Sequence, residues 1–146
     1  MKINILLDEN DLIINELNEL GIQSDPNSEY VLMKKNKGCN YIPVKYKEKS
    51  LYLKTQDIVY IESIGHKLII HTKDSTFYSH DRLKQMEIML DANEFIRVSN
   101  SFIISINKIV KIESLIFQKF ILHMINGHKV DVTRTYYYIF KEKLGL

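Results

Sequence analysis

The run Phe102-Ile-Ile-Ser-Ile106 constrains the chain more than any other stretch. Four of its five side chains are aromatic or β-branched, which favours a strand. The apolar positions do not alternate with polar ones, so that strand needs cover on both faces. Just ahead of it, Arg97, Ser99, Asn100 and Ser101 fall within five positions. Asn and Ser together favour a turn or a strand end. The stretch Phe95–Ile109 therefore reads as a rigid strand that holds out a short polar tip. Ser, Asn and Arg all donate hydrogen bonds to phosphate oxygens, and Asn can also pair bidentately with adenine.

The rest of residues 41–146 is β-rich. Residues 41–47 form a strand, and Pro43 predicts an edge position for it. Glu48-Lys49 predicts a hairpin tip, with Leu51 and Leu53 on the return strand. Runs at 58–64 and 67–72 flank Gly65-His66, and 76–79 follows the turn at Lys73-Asp74. Leu83, Met86, Met89 and Leu90 recur at helical spacing, so 81–90 is a short helix capped by His80 or Asp81. Strands at 109–112 and 117–125 lead to Asn126-Gly127, a strong hairpin signal, and Val130 and Val132 lie on the return. Thr133 caps a last helix over 134–144. Lys141 and Lys143 suit its C-terminal end, and Gly145 stops it.

Ahead of this block, Ile3, Ile5 and Leu7 mark a strand. Leu12, Ile13, Leu17 and Leu20 mark a helix capped by Asp8 or Asn10 and ended by Gly21. Asp25-Pro26-Asn27 is a turn, and 30–33 a second strand. The basic stretch Lys34–Asn40 is the expected boundary between a 1–40 extension and a 41–146 domain. The two parts differ in charge. Residues 1–40 hold four bases against seven acids, and residues 41–146 hold sixteen bases against eleven acids. The second part is the one suited to a polyanion.

Other classes find little support. Cys39 is the sole cysteine among the 146 residues, so no internal disulfide can form, which suits a reducing cytoplasm. No apolar run reaches membrane-spanning length, and MKINILLDEN lacks the layout of a signal peptide. There is no glycine-rich phosphate loop, G-x-S-x-G or H-E-x-x-H, so neither an enzyme nor a small-molecule substrate is expected. The histidines do not cluster. Across the Asn126-Gly127 turn His123 should face Val130, and His66 and His71 should lie on opposite faces. No metal or other cofactor is therefore expected.

The stretch from Phe95 resembles the F-x-R-x-H-x-S-[YF]-[IV]-V-N segment of the LytTR DNA-binding domain of bacterial transcription regulators. Phe95, Arg97, Ser101, Phe102 and Ile103 fit the pattern. Ser99 stands where His is frequent, and Ser105 where Asn is frequent. Ser63-Ile-Gly-His-Lys67 and Val132-Thr-Arg134 match two further family segments, in order and spacing. The resemblance implies a mainly β (α+β) fold, an elongated antiparallel multi-sheet β sandwich with short helices and a short N-terminal strand-helix segment. It also implies duplex DNA as partner, at promoter repeats, with His66, Asn100 and Arg134 on base edges in the major groove. Lys67, Ser99, Ser101 and Thr133 would then meet phosphates. It suggests a homodimer on DNA, a stand-alone regulator without a receiver domain, and a neighbouring membrane protein as controller.

Each tip also has a structural reading. Gly-His between strands is commonly just a turn, Asn100 a turn former, and Arg134 a solvated helix residue. Arg97 reads as a structural ion-pair partner, with phosphate contact the lesser option. The rival function is a β-rich interaction module that captures a peptide along the Tyr41–Lys54 edge.

Overall fold

The computed structural model describes residues 1–7, 11–33 and 38–146. The expected caps Asp8 and Asn10 and the basic residues 34, 35 and 37 lie outside the described residues. The chain divides into two compact units, 1–35 and 36–146.

In the first unit β1 (Lys2–Leu6) is followed by α1 (Ile13–Glu19), β2 (Gln23–Ser24) and β3 (Val31–Met33). Among the described residues β1 is central, with β2 and β3 parallel to it on either side. The two residues just ahead of the expected Asp25-Pro26-Asn27 turn are thus paired to β1. The turn itself starts at Asp25, whose carboxylate accepts the Asn27 amide at 2.9 Å. Leu17 on α1 is buried.

The second unit runs β4 (Tyr41–Tyr46), β5 (Lys49–Lys54), β6 (Ile58–Ile64), β7 (Lys67–Thr72), β8 (Thr76–Ser79), α2 (Leu83–Met89), β9 (Phe95–Arg97), β10 (Phe102–Ser105), β11 (Ile109–Leu115), β12 (Lys119–Met124), β13 (Lys129–Val132) and α3 (Tyr137–Leu144). Among the described residues, β4 to β10 make an antiparallel sheet of order β5-β4-β8-β7-β6-β10-β9, and β11-β12-β13 make a second. This is the mainly β, multi-sheet architecture with short helices that the sequence implies.

Two cores explain the unbroken apolar run. Ile103 of β10 packs with Ile42, Ile61, Leu68, Ile70 and Met86, on the side of α2. Its neighbour Ile104 packs with Phe120, Leu122, Val132 and Phe140, on the side of the second sheet and α3. Strands β6 and β10 are therefore sandwiched. Fully burying each such side chain contributes about 1.5–3 kcal/mol. In β6 the register slips by one at Val59, an extra residue opposite β7. That bulge lets the consecutive residues Val59 and Tyr60 both enter the second core.

Several local expectations are corrected. Pro43 is not on an edge strand, because β4 lies between β5 and β8. It is tolerated because the β4–β8 ladder is registered only at Lys45↔Tyr78, away from the residue lacking an N–H. The β4–β5 turn is Lys47-Glu48, one residue earlier than expected, with both residues left-handed (φ 48° and 65°). The Asn126-Gly127 hairpin has a three-residue loop in which Gly127 alone is left-handed (φ 85°) and Met124 pairs with His128. His123 consequently faces Lys129, not Val130. Phe117 is not in a strand: it heads a left-handed pair in the β11–β12 turn, Ile116–Gln118. Arg82, not His80 or Asp81, stands at the N-cap of α2, and its amide is held by the Gln85 side chain at 2.9 Å.

Candidate nucleic-acid interface

The loop Val98–Ser101 joins β9 to β10 and is closed by the Val98 amide donating to the Phe102 carbonyl at 3.0 Å. On one side, the Ser63 amide of β6 donates to the Ser101 carbonyl at 2.8 Å. On the other, the Thr133 amide just past β13 donates to the Val98 carbonyl at 3.0 Å. This loop is therefore bonded on one side to β6, two residues ahead of Gly65, and on the other to Thr133, just ahead of the last helical segment. Gly65 (φ 59°) opens the two-residue β6–β7 turn, the position that a type II′ turn reserves for glycine, and His66 is its exposed second residue. Ser63 lies beside Ser101, so His66 extends roughly 7–10 Å past that pair at 3.3 Å per residue.

His66, Asn100 and Arg134 are all exposed. Asn100, Ser101, Thr133 and Arg134 line one concave cleft of about 570 Å³ with Lys129 and Asp131. His66 and Lys67 stand beyond the Ser63 side of the loop, where the Lys67 ammonium lies 5.2 Å from the centre of the Tyr78 ring. Ser99 lines the same cleft as Asn100 but offers little surface to it. It is only 7% exposed, and its hydroxyl oxygen accepts the Ser101 amide at 3.2 Å, so it shapes the turn from inside. Thr133 does not cap the last helix with its side chain, and its Oγ1 lies 3.5 Å from the Val98 carbonyl. The helical segment begins with a 3-10 turn at Arg134–Tyr136 before α3.

Arg97 builds this loop. Its guanidinium donates to the carbonyls of Ser99 (3.1 Å) and Asn100 (2.9 Å), and it pairs with Glu87 at 3.3 Å. Other supports are visible only in three dimensions. The Tyr136 hydroxyl donates to Asn100 Oδ1 at 3.4 Å, and Arg134 Nε donates to Gln118 Oε1 at 3.3 Å. Lys129 is a cation of the cleft that sequence reasoning passed over. Its signal was the alternation of β13, where Val130 and Val132 are buried and Lys129 and Asp131 point outward.

One cluster of rings contradicts the expectation that the histidines stay apart. Tyr60, His71 and His128 meet, with Tyr60 stacked on His71 at 4.3 Å and the two histidine rings 6.2 Å apart. The Tyr60 hydroxyl and His128 Nδ1 share a 2.8 Å hydrogen bond. Glu62 Oε1 lies 3.4 Å from His71 Nε2 but off the line of a hydrogen bond, leaving that nitrogen buried without an aligned partner. Burial lowers the His71 pKa and raises that of Tyr60. Elsewhere His123 hydrogen-bonds Glu113, which holds that carboxyl below its ordinary range. Among the described residues no three His, Cys, Asp or Glu side chains are grouped to hold a metal.

Fold and site together define a β scaffold that presents polar loop tips at one end of its main sheet. Residues 48–145 match the family model of the LytTr DNA-binding domain, and the chain belongs to that family. It is similar to the sensory transduction protein LytT of Bacillus cereus, 36% identical over 89 residues, covering 61% of this chain and 36% of that protein. LytT of Enterococcus faecalis is 32% identical over 106 residues, covering 72% and 43%. The transcriptional regulatory protein LytR of Staphylococcus aureus is 29% identical over 105 residues, again 72% and 43%. The chain thus matches less than half the length of these curated relatives. Among solved structures, a LytTr DNA-binding domain of a methyl-accepting/DNA response regulator from Bacillus cereus superposes with a TM-score of 0.70 at 27% identity. The match covers 75% of this chain and all of that one.

Proposed function

We propose that this chain binds duplex DNA sequence-specifically, as a cytoplasmic transcriptional regulator, and that residues 41–146 carry the binding. His66, Asn100 and Arg134 reach base edges in the major groove. Arg is suited to guanine O6 and N7, Asn to adenine N6 and N7, and each good bidentate pair discriminates by about 1–3 kcal/mol. Lys67, Ser101 and Thr133, joined by Lys129, meet phosphates and fix the register. Ser99 supports the Asn100 turn. Two chains occupy repeated sites, and residues 1–40 form an extension ahead of the DNA-binding part.

The observation that carries this reading is the Val98–Ser101 loop, hydrogen-bonded to Ser63 on one flank and Thr133 on the other. Asn100 and Arg134 line one cleft there, and the β6 strand bonded to the loop leads into the turn that carries His66, which supports a shared DNA-facing side. The rival reading, peptide capture by strand addition, draws on β5, which is an edge strand among the described residues.

The test is fluorescence anisotropy with labelled genomic duplexes across a salt series. Specific binding should show log K falling linearly with log salt, with a slope near −0.9 per phosphate neutralised. Binding that ignores salt, or no binding at low salt alongside capture of an extended peptide, would overturn the reading.

A further inference from the structure

We propose that Gln118, at the tip of the β11–β12 hairpin, is a positioning residue that aims Arg134, so that the base preference at Arg134 is set by two side chains and not one. This inference rests on the reading of Arg134 as a base contact.

The backbone supplies the first observation. The strands pair up to Leu115↔Lys119, leaving Ile116, Phe117 and Gln118 as the turn. Phe117 (φ 65°) and Gln118 (φ 60°) are both left-handed. Glycine, asparagine and aspartate tolerate that region, and an aromatic residue there is an outlier. Such outliers persist where the surroundings over-determine them, and they concentrate at functional sites. A glycine at position 118 would relax the turn. It would also remove the amide that the turn presents.

The side chain supplies the second. Gln118 Oε1 accepts from Arg134 Nε at 3.3 Å, and Gln118 Nε2 donates to the Tyr138 hydroxyl at 2.5 Å. Arg134 and Tyr138 are four residues apart at the start of the last helical segment, so one amide bridges a single helical face. The orientation of that amide is chemically determined. Arginine has no acceptor, so only the carbonyl end of Gln118 can face it.

The consequence concerns recognition. With Nε engaged, the two terminal nitrogens of Arg134 remain, and they project end-on from the chain. That fork matches the O6 and N7 acceptors of guanine. A guanidinium held this way has also lost part of its rotamer freedom before DNA arrives, so less is lost on binding. Asn100 has a comparable support in Tyr136. Gln118 differs in coming from the second sheet, which makes the hairpin tip part of the recognition apparatus.

The test uses the full chain and the duplex that the wild type enriches most strongly from a random-sequence pool. That duplex is then varied one base pair at a time in anisotropy competition. Arg134→Ala should abolish discrimination at one position. Gln118→Met, which keeps the shape and removes the amide, should reduce discrimination at that same position by roughly two- to tenfold, as loss of one hydrogen bond allows. It should leave other positions unchanged within about twofold. Gln118→Gly should show the same loss while its thermal midpoint holds or rises, because glycine takes φ near 60° without strain. The Gln118→Met/Arg134→Ala double variant should match Arg134→Ala alone. A uniform weakening over all base pairs by Gln118→Met, or an unchanged Gln118 effect in the Arg134→Ala background, would overturn the positioning role. If Arg134→Ala alters no single position, the base-contact reading of Arg134 fails and this proposal with it. If Arg134→Ala does and Gln118→Met does not, only the proposal fails. A pool from which the wild type enriches nothing would overturn both.

Discussion

Arg97 Nη2 donates to the carbonyl oxygen of Asn100 at 2.9 Å, reaching from a strand into the loop that the strand feeds. Nε of the same guanidinium donates to the Ser99 carbonyl at 3.1 Å. The two bonds fix consecutive peptide units with one planar fork, a geometry that lysine cannot reproduce. Arg97→Ala and Arg97→Lys should therefore both weaken DNA binding, although Arg97 is not among the proposed contacts. Arg97→Ala should also cost about 0.5–1.5 kcal/mol of stability, because the Asn100 carbonyl is exposed and can turn to water. Glu87→Gln should change stability by less than ~1 kcal/mol, because the ion pair it removes is partly exposed. Urea unfolding and duplex anisotropy on the three variants check this. Wild-type binding by Arg97→Ala would show that the loop keeps its shape unaided.

Lys67 and Asn100 should fail in different ways. Lys67 is an exposed cation beside the β6–β7 turn, and the contact proposed for it is with phosphate, which carries no sequence information. Lys67→Ala should weaken binding to all duplexes alike and flatten the salt slope by about 1. Asn100→Ala should leave the slope nearly intact and relax the choice at one base pair. Salt titrations on matched and mismatched duplexes separate the two. A base-specific loss from Lys67→Ala would reverse the assignment.

What the sequence makes legible follows from where turn chemistry is written. Gly65-His66 and Lys73-Asp74 separate β6, β7 and β8 at the expected places, and the unbroken run at Phe102 implies a strand covered on both faces. The β11–β12 turn is hidden because Ile116 and Phe117 favour strands, and only pairing across the sheet forces them into a bend. The Asn126-Gly127 hairpin is visible, but its register is not. Gly127 alone takes the left-handed conformation, and the added loop residue moves His123 opposite Lys129. The meeting of Tyr60, His71 and His128 depends on the bulge at Val59 and on packing between two sheets, neither of which is local information. Likewise the exposed tips could be named from their residue types, whereas the burial of Ser99 and the supports from Gln118 and Tyr136 could not.

The Lys47-Glu48 turn offers a direct test of stored strain. Both residues are left-handed and neither is Gly, Asn or Asp. Two-residue turns of this hand favour Asn-Gly because those residues reach φ > 0 at low cost. The double substitution Lys47→Asn, Glu48→Gly should stabilise the protein by about 0.5–2 kcal/mol. For a unit of roughly a hundred residues that raises the thermal midpoint by several degrees. Differential scanning calorimetry measures it. A lowered midpoint would mean that the two original side chains contribute more than their backbone strain costs.

His71 should make stability fall in mild acid. Its ring is stacked on Tyr60, and burial pulls its pKa below the ordinary 6.5, while Glu62 opposes that shift and the neighbouring His128 adds to it. A histidine depressed in the folded state binds its proton first in the unfolded chain. Its contribution is therefore complete above about pH 6.5 and is lost as the pH falls through the folded value. The loss cannot exceed about 1.4 kcal/mol per pH unit for one proton. Glu113 acts lower down. Its carboxyl is held below the ordinary 4.5 by His123, so its contribution is lost only under more acid conditions. Between pH 7 and 5 the unfolding free energy of the wild type should decline, and His71→Phe, which keeps a ring against Tyr60, should flatten that decline. Urea midpoints at half-unit pH steps give both curves. If they run parallel, the proton taken up on acid unfolding belongs to another group.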